Sequence, residues 1–196
     1  APDWAADWLH REAIYILNAW SESEYEMPFE DLDEENQALL KQRLQSKLRK
    51  NTFNKTDQIL IISDLRSEAI QSLGNYYSGL FMDDPDKEEL REAYSIPANT
   101  VKDEDRMFKM TAFFFWASWA TVTERPGKEI TYTNNWPPEK LVGNEPPASL
   151  LLWTGFSVII LLFGIGLLGW YYARNRDNES NHDIPEVNPL SGQKLT

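Results

Sequence analysis

Two histidines, His10 and His182, are the residues of this 196-residue chain best suited to ligate haem iron or a metal ion. The chain has no cysteine, which excludes disulfides, thiolate metal sites, iron–sulfur clusters and the C-x-x-C-H haem attachment. His10 and a methionine would form a haem pair, but without an attachment motif the favoured interpretation places His10 on a helix surface or at the core edge. The sequence therefore predicts no catalytic residue, metal ligand or cofactor within this segment.

Two short acidic runs, at residues 83–86 and 103–105, are the other candidates for ion binding. Neither has the spaced oxygen ligands and the glycine of an EF-hand loop. Carboxylates near a helix start complement the helix dipole. We therefore interpret both runs as helix starts and not as calcium sites.

The charge of the chain restricts its partners. The net charge is -12 at pH 7, and 27 acidic against 16 basic side chains precede residue 146. An acidic surface repels phosphate backbones, so we expect no nucleic-acid partner. The favoured explanation of the acidity is solubility, and a basic partner is the alternative. Because 42% of the residues are hydrophobic and 13% aromatic, the composition is that of a folded protein.

One stretch predicts a transmembrane helix. Residues 146–173 carry no charge and as a helix would reach about 42 Å, more than the roughly 30 Å of a bilayer core. Trp153 and Trp170 lie near its ends, as interfacial aromatic residues do. We therefore expect three parts, which are a globular domain over residues 1–148, a transmembrane helix over 149–173 and a linker over 174–196.

The positive-inside rule indicates the orientation. Lys140 precedes the helix, whereas Arg174 and Arg176 follow it, so we expect the domain outside the cell membrane and the tail in the cytoplasm. Because the chain starts at Ala1 without a signal-peptide pattern, we also expect an upstream segment that exports the domain.

Within the domain, hydrophobic periodicity and cap residues indicate a mainly α fold with minor β. The predicted helices run from Asp3 or Asp7 to near Trp20, from near Asp33 to near Asn51, from a cap at Ser63, from Pro85 to Tyr94, and over residues 103–123. We expect an acidic loop over residues 22–35, strands over 59–62 and 129–133, and a Pro-rich loop over 134–147.

The fifth helix is crowded with aromatic residues, and its uncharged part, residues 110–123, would be about 21 Å long, too short to cross a bilayer. The favoured interpretation is a helix buried in the domain core. The alternative is that one aromatic face docks on a membrane-embedded subunit.

Several motifs of unusual composition occur in a characteristic order. They are A-P-D-W and A-D-W-L-H-R-E in residues 1–12, A-F-F-F-W in 112–116, R-P-G in 125–127, and Y-T-N-N-W-P-P-E followed by L-V-G-N in 132–144. In these motifs the chain closely resembles the N-terminal part of quinol-dependent nitric oxide reductase, in the haem-copper oxidase superfamily. The resemblance extends over nearly the whole chain and is weakest in residues 22–92 and in the tail.

This resemblance implies a cytochrome c-like extracytoplasmic domain without haem, attached through one transmembrane helix to a catalytic multi-helix bundle. The family reduces two NO to N2O and water with electrons from quinol, and its haem b, haem b3 and non-haem iron lie in that downstream bundle. The implied location is the bacterial cytoplasmic (inner) membrane, with the domain on the periplasmic side.

The resemblance also implies which residues lie against the catalytic bundle. They are Asp3, Trp4, Trp8, His10, Arg11, Tyr132, Asn134, Asn135 and Trp136. Trp136 and Trp153 are further expected to wall a quinol pocket near the outer membrane surface. The remaining alternatives are a single-pass membrane sensor or interaction protein with an acidic ectodomain, and a separately encoded accessory subunit.

Overall fold

The computed structural model describes the backbone of residues 3–182 and the side chains of residues 3–176. The chain divides into two compact units, of which one ends at Pro147 and the other begins at Ala148. The first unit is mainly helical with a small sheet, as predicted. Its elements are α1 (Trp4–Tyr25), α2 (Glu34–Arg49), β1 (Phe53–Asn54), β2 (Ile59–Leu60), α3 (Asp64–Phe81), α4 (Glu88–Tyr94) and α5 (Glu104–Val122).

Helix α1 is the central element of the first unit and packs on α2, α3 and α5. It starts where Asp3 accepts hydrogen bonds from the backbone N–H groups of Ala5 and Ala6. The helix continues to Tyr25, so the predicted end near Trp20 and the predicted loop over residues 22–35 are wrong. Ser21 explains the extension, because it is buried and its hydroxyl donates to the carbonyl of Met27.

The starts of the next helices agree with the sequence. Asp33, Ser63 and Asp103 cap α2, α3 and α5, each accepting from the backbone N–H three residues further on. A 3-10 turn at Pro85–Lys87 precedes α4, so the predicted helix from Pro85 begins one turn late as an α-helix. The predicted strand at 59–62 is two residues long and pairs antiparallel with β1, which the sequence did not indicate.

Two hydrophobic clusters form the core. The first packs α1 on α2 and includes Leu9, Ile16, Leu40 and Leu44. The second surrounds Trp8 between α1, α3 and α5. In this cluster the ring of Trp8 stacks on Tyr77, with centroids 5.3 Å apart and planes at 4°. Aromatic packing of this kind adds about 0.5–1.5 kcal/mol per pair to the effect of burial.

A buried ion pair connects α1 to α3. Arg66 Nε lies 2.6 Å from Glu12 Oε1, and the two side chains are 8% and 0% exposed. The guanidinium also lies over the ring of Phe115, 5.5 Å from its centroid. Because removing one partner leaves a buried charge, such a pair specifies the register of two helices even where it adds little net stability.

Residues 123–147 have little regular structure, and the predicted strand over 129–133 is wrong. The structure has two isolated antiparallel bridges there, between Glu124 and Thr131 and between Glu139 and Asn144. Asn134 and Asn135 follow with φ of 57° and 58°, a left-handed conformation that ends an extended run. A 3-10 turn at Lys140–Val142 lies within the predicted Pro-rich loop.

The second unit contains one described helix, α6 (Ala148–His182). Its first 29 residues, Ala148–Arg176, are long and apolar enough to span a membrane. The helix continues beyond Ala173, so the start of the segment predicted as a linker is helical. Residues 183–196, the rest of that segment, lie outside the described residues.

We predict that Tyr77 makes stability depend on alkaline pH. Burial, with the hydrogen bond from its hydroxyl to Asp7 Oδ2 at 2.6 Å, raises the pKa of Tyr77 above the ordinary 10.0. Because the folded state holds the neutral phenol, this stabilisation is complete below pH 10 and is lost as pH rises further. The free energy of unfolding of the full chain in detergent should therefore fall above pH 10.

The Tyr77→Phe variant should lose about 1 kcal/mol at pH 7, because one hydrogen bond is removed, and should show a shallower alkaline loss than the wild-type chain. Tyr94→Phe, at a side chain that is 43% exposed, is the control and should keep the wild-type slope. Equal slopes in wild type and Tyr77→Phe would contradict the assignment.

Candidate functional site

The N-terminal residues expected at an interface are mostly engaged within the first unit. Trp8 is completely buried, and the half-buried Trp4 lies edge-on to Tyr77 and Phe81 and stacked near Phe114. Asp3 caps α1, as described above. Arg11 donates from Nε to Asp7 at 2.8 Å and lies over the ring of Tyr76. This group of residues therefore holds the start of α1 against α3 and α5.

The C-terminal residues of the same set are in a different environment. Trp136 and Tyr132 are 49% and 40% exposed, and the Tyr132 hydroxyl bonds to Asn51 Nδ2 at 3.1 Å. Asn134 Oδ1 accepts from Arg125 at 3.1 Å. Asn135 accepts from the backbone of Thr131 and donates to the carbonyl of Glu145. The asparagines therefore shape the loop, while the two aromatic rings are available to a partner.

The two groups approach each other at one contact. His10 Nδ1 lies 3.0 Å from Glu139 Oε2, with the histidine side chain 53% and the glutamate 16% exposed. His10 is thus on the surface of a helix, as the sequence indicated. The contact shows that the first motif and the last motif meet on one side of the domain, but it does not merge all nine residues into one patch.

Arg49, the last residue of α2, is a residue that the sequence analysis missed. Its guanidinium donates to Glu124 Oε1 at 2.8 Å, to the carbonyls of Gly143 and Glu129, and to the amide oxygens of Asn144 and Asn135. All the acceptors lie in residues 124–144. Because few backbone hydrogen bonds order this segment, we infer that this cation, together with the buried Val142, holds it against α2. The available signal was an arginine at a helix end, which is common and therefore uninformative.

A second exposed surface lies on α5. Phe108, Phe113 and Trp116 are 72%, 59% and 58% exposed, and the last two rings are 5.9 Å apart. We call these three residues the outer aromatic face of α5. Phe114 lies on the opposite side and is buried, and Trp119 is buried beside Phe53 and Tyr132. The helix is thus a core element, as favoured from the sequence. It also carries an exposed aromatic face, which the alternative interpretation, docking on a membrane-embedded subunit, requires.

The candidate metal and haem ligands of the described residues are engaged in other contacts. Within the described part of the chain, no group of three or more His, Asp or Glu side chains is arranged to hold a metal ion. His10 pairs with a glutamate and not with a methionine. The side chain of His182 lies outside the described residues. The acidic runs at 83–86 and 103–105 lie at helix starts, where Asp84 caps the 3-10 turn Pro85–Lys87 and Asp103 caps α5.

We predict that Arg49→Met will loosen residues 124–144. The mutation removes hydrogen bonds to a carboxylate and to four neutral oxygens, so the free energy of unfolding should fall by about 3 kcal/mol. Hydrogen exchange in residues 124–144 should rise more than in α1. Arg49→Lys should recover only part of the loss, because an ammonium lacks the planar fork.

The control for this prediction is Arg43→Met on the same helix. Arg43 pairs with Glu24 at the surface, with both side chains 37% exposed, and removing such a pair costs less than about 1 kcal/mol. Equal losses of unfolding free energy in Arg43→Met and Arg49→Met would contradict the proposal that Arg49 orders residues 124–144.

Comparison with known proteins identifies the family. The family model for the NorB cytochrome c-like domain of nitric oxide reductase matches residues 1–138. No curated protein matches the chain. The family match includes all nine residues expected at the interface and the whole of α5. It confirms the resemblance to the N-terminal part of nitric oxide reductase. The chain belongs to the family of the NorB cytochrome c-like domain of nitric oxide reductase.

Proposed function

We propose that this chain is the non-catalytic N-terminal portion of a membrane-bound nitric oxide reductase, and that it caps the catalytic haem-containing bundle. The observation that carries the proposal is the family match over residues 1–138, followed directly by the apolar helix Ala148–Arg176. The reductase converts two NO to N2O and water, and haem b, haem b3 and non-haem iron belong to the catalytic part. The chain's own contribution is structural.

The proposed electron donor is quinol. A relay from a soluble donor would need a haem held in this domain, and the chain has no cysteine for the C-x-x-C-H attachment. Quinol delivers electrons from within the membrane, so this domain is not required on the electron path. The motifs of residues 1–12 and 132–144, which resemble the quinol-dependent enzymes, support this choice.

The proposed arrangement has an extracytoplasmic domain over residues 1–148, a transmembrane helix over 149–173 and a cytoplasmic linker over 174–196, in the bacterial cytoplasmic membrane. Arg174 and Arg176 after the span, against Lys140 before it, support the orientation. An acidic domain outside also avoids the anionic inner leaflet.

The surface proposed to meet the catalytic bundle includes the outer aromatic face of α5. Three neighbouring aromatic rings that are more than half exposed are costly on a free domain. Burying each ring against a partner would contribute about 1.5–3 kcal/mol. The exposed Trp136 and Tyr132 are proposed to add to the contact, and Trp136 with Trp153 is proposed to wall the quinol pocket.

We predict that the affinity-tagged chain, purified from native membranes in mild detergent, will carry haem b absorbance and consume NO when supplied with quinol. This result follows if a catalytic bundle is joined to it or bound by it.

The same preparation tests the pocket, because Trp136→Ala and Trp153→Ala should raise the quinol KM more than they lower kcat. A haem-free chain without NO consumption would instead favour a single-pass sensor or interaction protein.

We also predict that the Phe113→Ser and Trp116→Ser double variant will lose haem b from the purified preparation. The two rings are 59% and 58% exposed, so the substitutions should leave the stability of the domain within about 0.5 kcal/mol, and the loss would be specific to docking. Ile59→Ser, at a 52% exposed residue of the hairpin, is the matched control. Wild-type haem content in the double variant would exclude this face.

A further inference from the structure

A small cavity lies between the ends of three helices of the first unit. It is lined by the last part of α1, the C-terminal end of α2 and the first turn of α3, and its volume is about 350 Å³. This volume is at the lower end of the range of small-molecule pockets, roughly 300–1,000 Å³. Aliphatic side chains such as Ile16, Leu44 and Leu65 form much of its wall. The cavity is therefore suited to a small ligand with an apolar body.

The charge of the lining is opposite to that of the domain. The charged residues that line the cavity are Lys47, Lys50 and Arg66, and all three are cationic. The domain before residue 146 has 27 acidic and 16 basic side chains, so this cationic lining is opposite in sign to the net charge of the domain. Among the ion pairs of the described residues, Arg66 pairs with Glu12, whereas Lys47 and Lys50 take part in none.

The cations are placed by contacts with the cavity wall. Lys47 Nζ lies 5.3 Å from the ring centroid of Trp20, which also lines the cavity. The Arg66 side chain is 8% exposed, and within the described part of the chain its Nη2 has no hydrogen-bond partner. A buried guanidinium nitrogen without an acceptor is costly. Glu12 Oε2 is likewise buried without a partner, so Arg66 contributes positive charge beside the cavity and not a free donor.

The helix starting at the cavity adds to this preference. Ser63 caps α3, and Ser63, Leu65 and Arg66 of its first turn line the cavity. The N-terminal end of an 18-residue helix carries partial positive charge, which favours an anion.

Helix-dipole complementation explains the cations only in part. It accounts for Lys47, which lies in the last turn of α2, where a cation is favourable. It does not account for Arg66, because a cation in the first turn of α3 opposes the dipole. Arg66 is instead balanced by its ion pair with Glu12 through Nε.

We propose that this cavity binds an amphipathic anion, a carboxylate or phosphate group joined to a short apolar chain. Lys47 and Lys50 hold the anionic oxygens, and Arg66 adds positive charge beside them. The apolar chain lies against the aliphatic wall beside Trp20. The same chemistry occurs in a soluble organic anion and in the head region of an anionic lipid.

The test is calorimetric titration of the full chain in nonionic detergent with hexyl phosphate, after subtraction of a titration into empty micelles. The wild-type chain should bind hexyl phosphate saturably and at least tenfold more tightly than inorganic phosphate or hexanol. Lys47→Met with Lys50→Met should weaken this binding at least tenfold. Both lysines are exposed, so the substitutions should leave the core and the unfolding temperature unchanged.

Lys102→Met is the matched control, because Lys102 is exposed and lies outside the cavity lining. It should bind hexyl phosphate as the wild type does. Absence of saturable binding to the wild-type chain, wild-type affinity in the double variant, or an equal loss in Lys102→Met would each overturn the proposal.

Nanodiscs distinguish the two sources of the anion. The wild-type titration is repeated in discs of phosphatidylcholine alone and in discs that also contain phosphatidylglycerol. Weaker apparent binding of hexyl phosphate in the second discs would identify the head of an anionic lipid as the occupant. Equal binding in both would identify a soluble anion.

Discussion

The guanidinium of Arg49 connects a regular helix to a segment that has little regular structure of its own. Its contacts with Glu124, Asn135 and Asn144 hold the two ends of the segment against α2. Because the acceptors are a carboxylate, amide oxygens and carbonyls in different planes, a planar fork of five donors is suited to all of them. The position of Glu139, and with it the contact to His10, depends on that segment.

Aromatic packing has the equivalent role at the start of α1. Trp8 stacks on Tyr77, and the hydroxyl of Tyr77 donates to Asp7, one turn after the cap at Asp3. The start of α1 is thereby held by a ring on one side and a hydrogen bond on the other. Residues that resemble an interface motif are therefore first required by the fold, and only the exposed members remain for a partner.

Local signals in the sequence predicted the helix starts well. Asp33, Ser63 and Asp103 cap helices through their own neighbouring backbone, so no distant residue is needed to recognise them. The failures are of two kinds. The run over residues 129–133 resembles a strand, but its backbone meets Glu124 at a single bridge. The acceptors of Arg49 lie 75 or more residues away, and no local pattern indicates them.

The aromatic run in α5 places buried and exposed rings on the same helix. Successive residues of an α-helix are separated by about 100° around the axis, so four consecutive aromatic residues cannot share one face. The run 113–116 must therefore divide, and Phe114 is buried while Phe113 and Trp116 are exposed. A domain that needed α5 only for its core would be better served by polar residues at the outward positions. The outward rings are thus an excess over what the fold requires, and the proposed docking on the catalytic bundle would account for that excess.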